Sequence, residues 1–158
     1  MGFARQVSQA LDEEHRNNLE LLGRAERVFG RADDPEAAAL AGRLVRQLEH
    51  ELGRHFGFEE AQLFPRLADA GDGDLAEMLR EEHETIRAVA DELLPLARAA
   101  AAGSLARADA GTLRRLVLEI VERQVAHIQK ETMALLPLLD ERLDDDTDRE
   151  LAFAYACD

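Results

Sequence analysis

The sequence predicts an all-α protein, an up-down-up-down antiparallel four-helix bundle followed by a short C-terminal helix. Three observations support this fold class. Ala, Leu, Glu and Arg dominate the 158 residues, and these residue types favour helices over strands. Apolar residues recur at helical spacing along four long segments. The connections between the segments are short, which places consecutive helices side by side and antiparallel.

The first helix is expected from about residue 4 to residue 29, with His15 on its apolar face. The second begins after the Asp-Asp-Pro string at 33–35, because aspartate can cap free N–H groups and proline suits the first helical position. It runs to about Ala70, and Pro65 is expected to kink its last turns. The inward stripes of these two helices contain Leu11, Leu19, Leu22 and Phe29, then Leu44, Leu48, Leu52, His55, Glu59 and Leu63.

The third helix follows a turn at 71–74 and is expected to reach about Ala102, with a bend at Pro95. The fourth follows a connection whose limits the sequence leaves open, and Pro137 repeats the late kink of the second helix. The inward stripes of this pair contain Leu75, Leu79, His83, Ile86, Ala90 and Leu93, then Leu113, Leu116, Ile120, His127, Glu131, Leu135 and Leu138.

Length and composition limit the classes of protein that need to be considered. The length suits one domain, with the bundle in residues 1–143 and an acidic turn with a short tail helix in residues 144–158. The net charge of −14 without a basic stripe argues against a nucleic-acid surface. Cys157 is the only cysteine, which excludes a disulfide framework and a thiolate metal cage. No apolar run approaches the roughly 20 residues of a membrane span. We therefore expect a cytoplasmic protein, and the single lysine, Lys130, among many arginines suggests a bacterium with a GC-rich genome.

Two motifs each occur twice. The pattern HxxxExxxLxPxL fits residues 55–67 and again residues 127–139. The string LxEEH ends at His15 and again at His83, upstream of the two longer motifs. The separation along the chain between the first and the second copy is similar for the two motifs. The repeats indicate two related halves, each with one single-histidine helix followed by one HxxxE helix.

The repeated residues suit a pair of metal ions. Residues four apart project from the same face of a helix, so the histidine and glutamate of each HxxxE pair point inward together. A glutamate buried there without a counter-charge costs several kcal/mol or takes up a proton, whereas a bound cation removes this cost. An isolated HxxxE is usually a pair on the solvent side, but two copies aligned with two LxEEH strings favour a metal site. The candidate ligands are His15, His55, Glu59, His83, His127 and Glu131.

The ligand types also limit the metal. If both carboxylates bridge two metals and each metal takes two histidines, a bridging oxygen leaves one octahedral position open on each metal. Imidazole with carboxylate suits iron first, and also manganese or zinc.

Other residues near the motifs receive different interpretations. His50 lies about 140° round the helix from His55 and is expected to face solvent. The glutamates beside the candidate ligands are expected to be solvated charges, and the nearby phenylalanines to be packing core. Tyr155 and Cys157 would reach the centre only if the tail folds back. The glutamates are Glu13, Glu14, Glu60, Glu81 and Glu82, and the phenylalanines are Phe56, Phe58 and Phe64.

The pattern of His15, His55 with Glu59, His83, and His127 with Glu131 resembles the hemerythrin-like family of HHE cation-binding domains. The resemblance covers nearly the whole chain. It implies a four-helix bundle around two non-haem iron ions joined by an oxo or hydroxo bridge, with these six residues as ligands and the two glutamates as bridges. Ferritin-like di-iron proteins instead place a glutamate three residues before histidine, and the positions three before the four histidines hold Asp12, Leu52, Arg80 and Gln124.

The chain departs from the oxygen-carrying members of that family. Those proteins have a second histidine four residues after the one in the third helix, where Arg87 stands here, and their last motif is HxxxxD. In this chain the position of that aspartate holds Thr132, and Glu131, one residue earlier, provides the carboxylate instead. One metal therefore loses a histidine, which argues against reversible oxygen carriage. The version with four histidines and two glutamates resembles the members of the family that are associated with sensing of iron, oxygen or nitric oxide.

Three functions follow as hypotheses. The first is a binding or sensing protein whose di-iron site takes up dioxygen, nitric oxide or iron itself. The second is a di-iron oxidoreductase that reduces peroxide or oxygen. The third is a helical interaction module with a structural metal. The sequence identifies no protein partner.

Overall fold

The computed structural model describes residues 2–157. This part of the chain is all-helical, with 87% of its residues in five helices and no strand, which confirms the predicted all-α class. Helix α1 is Gln6–Phe29, and α2 spans residues 37–69. Helix α3 is Gly73–Ala101, α4 spans residues 110–142, and the tail forms α5, Asp145–Cys157. A short 3₁₀ turn, Arg107–Asp109, leads into α4.

Helices α2 and α4 are not regular throughout. Helix α2 consists of the α-helical pieces Ala37–His50, Phe56–Phe58 and Phe64–Asp69, joined by the π-helical turns Glu51–His55 and Glu59–Leu63. Helix α4 consists of Ala110–Lys130 and Leu136–Arg142, joined by the π-helical turn Glu131–Leu135. Wide turns of this kind are frequent at functional sites.

The two later π-helical turns end just before the repeated prolines, Pro65 and Pro137. Because proline has no N–H and its ring crowds the preceding turn, it favours a local widening of the helix. The expected kinks of α2 and α4 therefore take the form of wide turns. Helix α3, in contrast, continues unbroken through Pro95.

The start of α2 differs slightly from the expectation. The Asp34 carboxylate accepts a hydrogen bond from the Glu36 backbone N–H at 2.9 Å, and the regular helix begins at Ala37. The aspartate thus caps the turn that precedes the helix. The helix itself begins two residues later than it would if Pro35 occupied the first helical position.

Buried apolar side chains form two clusters. One contains Leu22, Leu44 and Ile86, and the other contains Leu11 and Leu79. Along α1, His15 falls between Leu11 and Leu22, and along α3, His83 falls between Leu79 and Ile86. The predicted ligands thus lie where the apolar core is interrupted. Helix α5 contributes Leu151 and Tyr155 to the second cluster, so the tail folds back onto the other helices.

Candidate metal centre

The structure brings all six predicted residues together in the interior. Each is at most 1% exposed. Their donor atoms form two groups able to hold a metal ion, and Glu131 belongs to both. The first group is Glu59, His83, His127 and Glu131, and the second is His15, His55 and Glu131.

The Nε2 atoms of the four histidines converge on the two glutamates. His55 and His83 place Nε2 at 3.1 and 3.5 Å from Oε1 of Glu59. His15 and His127 place Nε2 at 3.1 and 3.4 Å from Oε1 of Glu131. Each glutamate therefore lies beside one histidine from each metal-binding group, which is the arrangement that a bridging carboxylate requires.

His83 and His127 oppose each other in a way that favours a cation. Their Nε2 atoms are 3.0 Å apart, while each Nδ1 contacts a carboxylate that can only accept a hydrogen bond. Both neutral rings would then carry their proton on Nδ1 and turn Nε2 lone pairs toward each other. Either a proton or a metal ion is needed to remove that repulsion.

Several donor atoms at this site have no hydrogen bond within residues 2–157. They are His55 Nε2, both carboxylate oxygens of Glu59 and Oε2 of Glu131, and all are buried. The 3.1 Å contact between His55 and Glu59 is close, but its geometry does not satisfy a hydrogen bond. Buried polar atoms without partners are costly, so their concentration at one point fits a metal that coordinates them. Imidazole and carboxylate donors suit iron, manganese or zinc.

The outer nitrogen, Nδ1, of each HxxxE histidine lies near the second glutamate of an LxEEH string. His127 Nδ1–H donates to Glu82 at 2.8 Å. In the other half, Glu14 lies 3.5 Å from His55 Nδ1, and the Tyr155 hydroxyl bonds to both groups. The two halves thus share a pattern, but the first half includes a tyrosine from α5.

The outer nitrogens of the other two histidines are held by the residue that follows each glutamate ligand. His83 Nδ1–H donates to Glu60 at 2.9 Å, and His15 Nδ1 lies 3.2 Å from the Thr132 hydroxyl. Hydrogen bonds of this kind fix the tautomer and orientation of a metal-binding imidazole. All four rings are therefore oriented with Nε2 inward.

Surface cations neutralise two of these outer carboxylates. Arg87 donates to both oxygens of Glu60, at 2.8 and 3.1 Å, and Lys130 pairs with Glu82. Burial opposes ionisation of Glu60, but its bonds to Arg87 and His83 lower its pKa. The bond from His127 is the main cause of the lowered pKa of Glu82. Arg87 thus supports His83 through Glu60.

Aromatic rings pack around the histidines. Phe56 stacks on His83 with ring centroids 3.6 Å apart, and Phe64 lies 5.4 Å from the same ring. Phe58 packs against Tyr155 at 4.7 Å. The three phenylalanines are core residues, as expected, and two of them also wall the histidine cluster.

The pKa values in the metal-free protein follow from burial and from these contacts. Burial and the neighbouring His127 charge lower the pKa of His83 to about 4. Burial opposes protonation of His55 and His127, but the surrounding carboxylates raise both pKa values. Burial and the Glu131 charge raise the pKa of Glu59, which therefore takes up the proton of the glutamate pair. When no metal is bound, protons compensate the buried negative charge that a metal would otherwise neutralise.

Metal binding should consequently release protons and strengthen with pH. The pKa values of His55 and His127 are raised, which favours the protonated rings, whereas a ligand nitrogen must be free of its proton. Apparent affinity should rise about tenfold per pH unit for each proton displaced, at pH values below the raised pKa values of the two histidines, and should level off above them. Calorimetric titration in buffers of different ionisation enthalpy measures the release. Binding without proton release would contradict the assigned protonation.

Sequence reasoning missed the outer partners. Glu14, Glu60 and Glu82 were expected to be solvated charges, but each is partly buried and contacts a histidine ring. Glu13 and Glu81 are exposed, in agreement with the expectation. The duplication of the second glutamate in LxEEH was the available signal. His50 is exposed, also as expected, and contacts Glu14.

A helical protein with a buried histidine and carboxylate cluster is the class that this fold and site define. The family model for the hemerythrin HHE cation-binding domain matches residues 6–139. The chain belongs to this family, which confirms the resemblance inferred from the motifs. Among curated proteins, none matches the chain. None of the helices in residues 2–157 is long and apolar enough to cross a membrane.

Proposed function

We propose that the protein binds two non-haem iron ions and acts as a binding or sensing protein for dioxygen, nitric oxide or iron. The observation that carries the proposal is the convergence of four buried imidazole Nε2 atoms on two buried glutamates. The proposed ligands are the six predicted residues. Glu59 and Glu131 would bridge, and each metal would take two histidines, His83 with His127 and His15 with His55.

An iron pair supplies reversible one-electron chemistry and open coordination positions for a small ligand. The chain itself supplies a dry, oriented site. Glu60, Glu82 and Thr132 hold the rings, and Phe56 and Phe64 limit access by water. Manganese or zinc in the same ligands would be the alternative.

The proposal includes the up-down-up-down antiparallel arrangement of α1 to α4. Its support is that the neighbours expected for such a bundle are in contact: α1 with α2, α2 with α3, α3 with α4, and α4 with α1.

The decisive experiment is metal analysis together with an optical spectrum of the protein purified from its own cells without oxygen, before and after exposure to air. We expect about two iron ions per chain and charge-transfer absorption in the near ultraviolet after oxidation. No metal after reconstitution with ferrous iron would overturn the proposal. A full complement of zinc would instead favour the interaction module, and iron-dependent consumption of peroxide would favour the oxidoreductase.

A further inference from the structure

Helix α5 reaches the metal centre from outside the part of the chain that the family model matches. The match ends at residue 139, and α5 begins at Asp145. Its tyrosine, Tyr155, is 7% exposed and lies in the second apolar cluster with Leu151. The Tyr155 hydroxyl is 3.1 Å from Nδ1 of His55, about a hundred residues earlier in the chain.

Comparison of the two halves shows what this tyrosine changes. In the second half, Glu82 contacts His127 directly at 2.8 Å. In the first half, the equivalent Glu14 is 3.5 Å from His55, and the Tyr155 hydroxyl donates to Glu14 while it accepts from His55. The tyrosine is therefore inserted into a pair that is direct in the other repeat.

The two ends of α5 are attached in different ways. Near its start, the Asp148 carboxylate accepts hydrogen bonds from the backbone N–H groups of Gln6 and Val7, both at 2.9 Å. These bonds satisfy free donors at the start of α1 and do not involve the histidines. Near its end, Tyr155 contacts His55 and Glu14, and Arg54 donates to the Tyr155 carbonyl. Only the later half of α5 is connected to the candidate centre.

We propose that Tyr155 is a positioning residue for His55, and that it couples the docking of the end of α5 to metal occupancy. This inference rests on the proposed function. When His55 Nε2 binds a metal, the ring proton must be on Nδ1, where the Tyr155 oxygen accepts it. A metal on Nε2 also fixes the orientation of the ring, and with it the position of the Nδ1–H group that the Tyr155 oxygen accepts. Thermodynamic linkage makes the two effects equal. Docking of α5 raises the metal affinity by the same factor by which bound metal favours the docked state of α5.

The test compares Tyr155→Phe with Phe153→Leu. Phe153 lies on the same helix but is 72% exposed, so its substitution leaves the His55 contact intact. Ferrous iron is titrated into each protein without oxygen, and amide hydrogen exchange of α5 is measured with and without iron. Loss of an outer hydrogen bond typically lowers metal affinity by 10–100-fold, so we expect about a tenfold loss for Tyr155→Phe and none for Phe153→Leu.

The hydrogen-exchange readout separates positioning from simple packing. In the wild type and in Phe153→Leu, iron should slow exchange in the later half of α5 by about tenfold, and in Tyr155→Phe this effect of iron should disappear. Iron should still slow exchange in α1 of all three proteins. Equal effects of iron on α5 in Tyr155→Phe and the wild type would overturn the coupling while leaving the iron site in place. A wild type that binds no iron would overturn both proposals.

Discussion

Substituting Glu131 by alanine should abolish binding of both metal ions. Its Oε1 lies 3.1 Å from His15 Nε2 and 3.4 Å from His127 Nε2, which belong to different metal-binding groups. Because loss of an outer partner of a ligand typically lowers metal affinity by 10–100-fold, loss of the shared ligand itself should lower it by at least about 100-fold. Metal content after gel filtration, and calorimetric titration of the metal-free protein with ferrous iron, measure the loss.

Matched variants make this result specific. Glu13→Gln and Glu81→Gln alter exposed glutamates of the repeated LxEEH string, and both variants should retain two metal ions. His15→Ala and His83→Ala each remove a ligand from one group only, and should weaken one site more than the other. If Glu131→Ala kept two tightly bound ions, Glu131 would not be the bridge.

Removal of the metal should destabilise the whole protein. The metal-free cluster retains buried glutamates and histidines whose charges only protons compensate. Free metal at a thousand times the dissociation constant stabilises the folded state by about 4 kcal/mol. For a chain of this length, that corresponds to a rise of roughly 8–16 °C in Tm. Thermal unfolding followed by circular dichroism, with ferrous iron or with a chelator, measures the difference.

The same measurement on Glu131→Ala is the control for metal removal. This variant should unfold at one temperature whether or not iron is present, because it lacks the bridging ligand. A chelator that left the Tm of the wild type unchanged would mean that the buried cluster is stable without metal. The cluster would then be a feature of core packing.

Much of the fold could be predicted from the sequence. The helical spacing of apolar residues in α1 and α3 predicted both helices to within two residues at each end. Helix boundaries can be predicted from the local sequence, because glycine, proline and aspartate affect the backbone conformation or hydrogen bonding at or next to their own positions. The π-helical turns Glu59–Leu63 and Glu131–Leu135 were expected only as kinks, because the response of a helix to proline depends on its neighbours.

The six candidate ligands were also identified from the sequence, because duplication placed the same residue types at the same spacing twice. That they bind metal stays a prediction, although the structure brings them together. The outer partners Glu60, Glu82 and Thr132 were not identified. Each lies next to a predicted ligand, and whether such a residue faces solvent or a ring depends on which helix packs beside it.

The sequence by itself determined the all-α class, the family and the six candidate ligands. These properties depend on spacing within single helices, and helical periodicity fixes which residues share a face. Only the tertiary structure decided how the histidines pair and which groups hold their outer nitrogens. It also decided that Tyr155 contacts His55, because contacts between distant segments depend on how whole helices pack, and no local pattern encodes that packing.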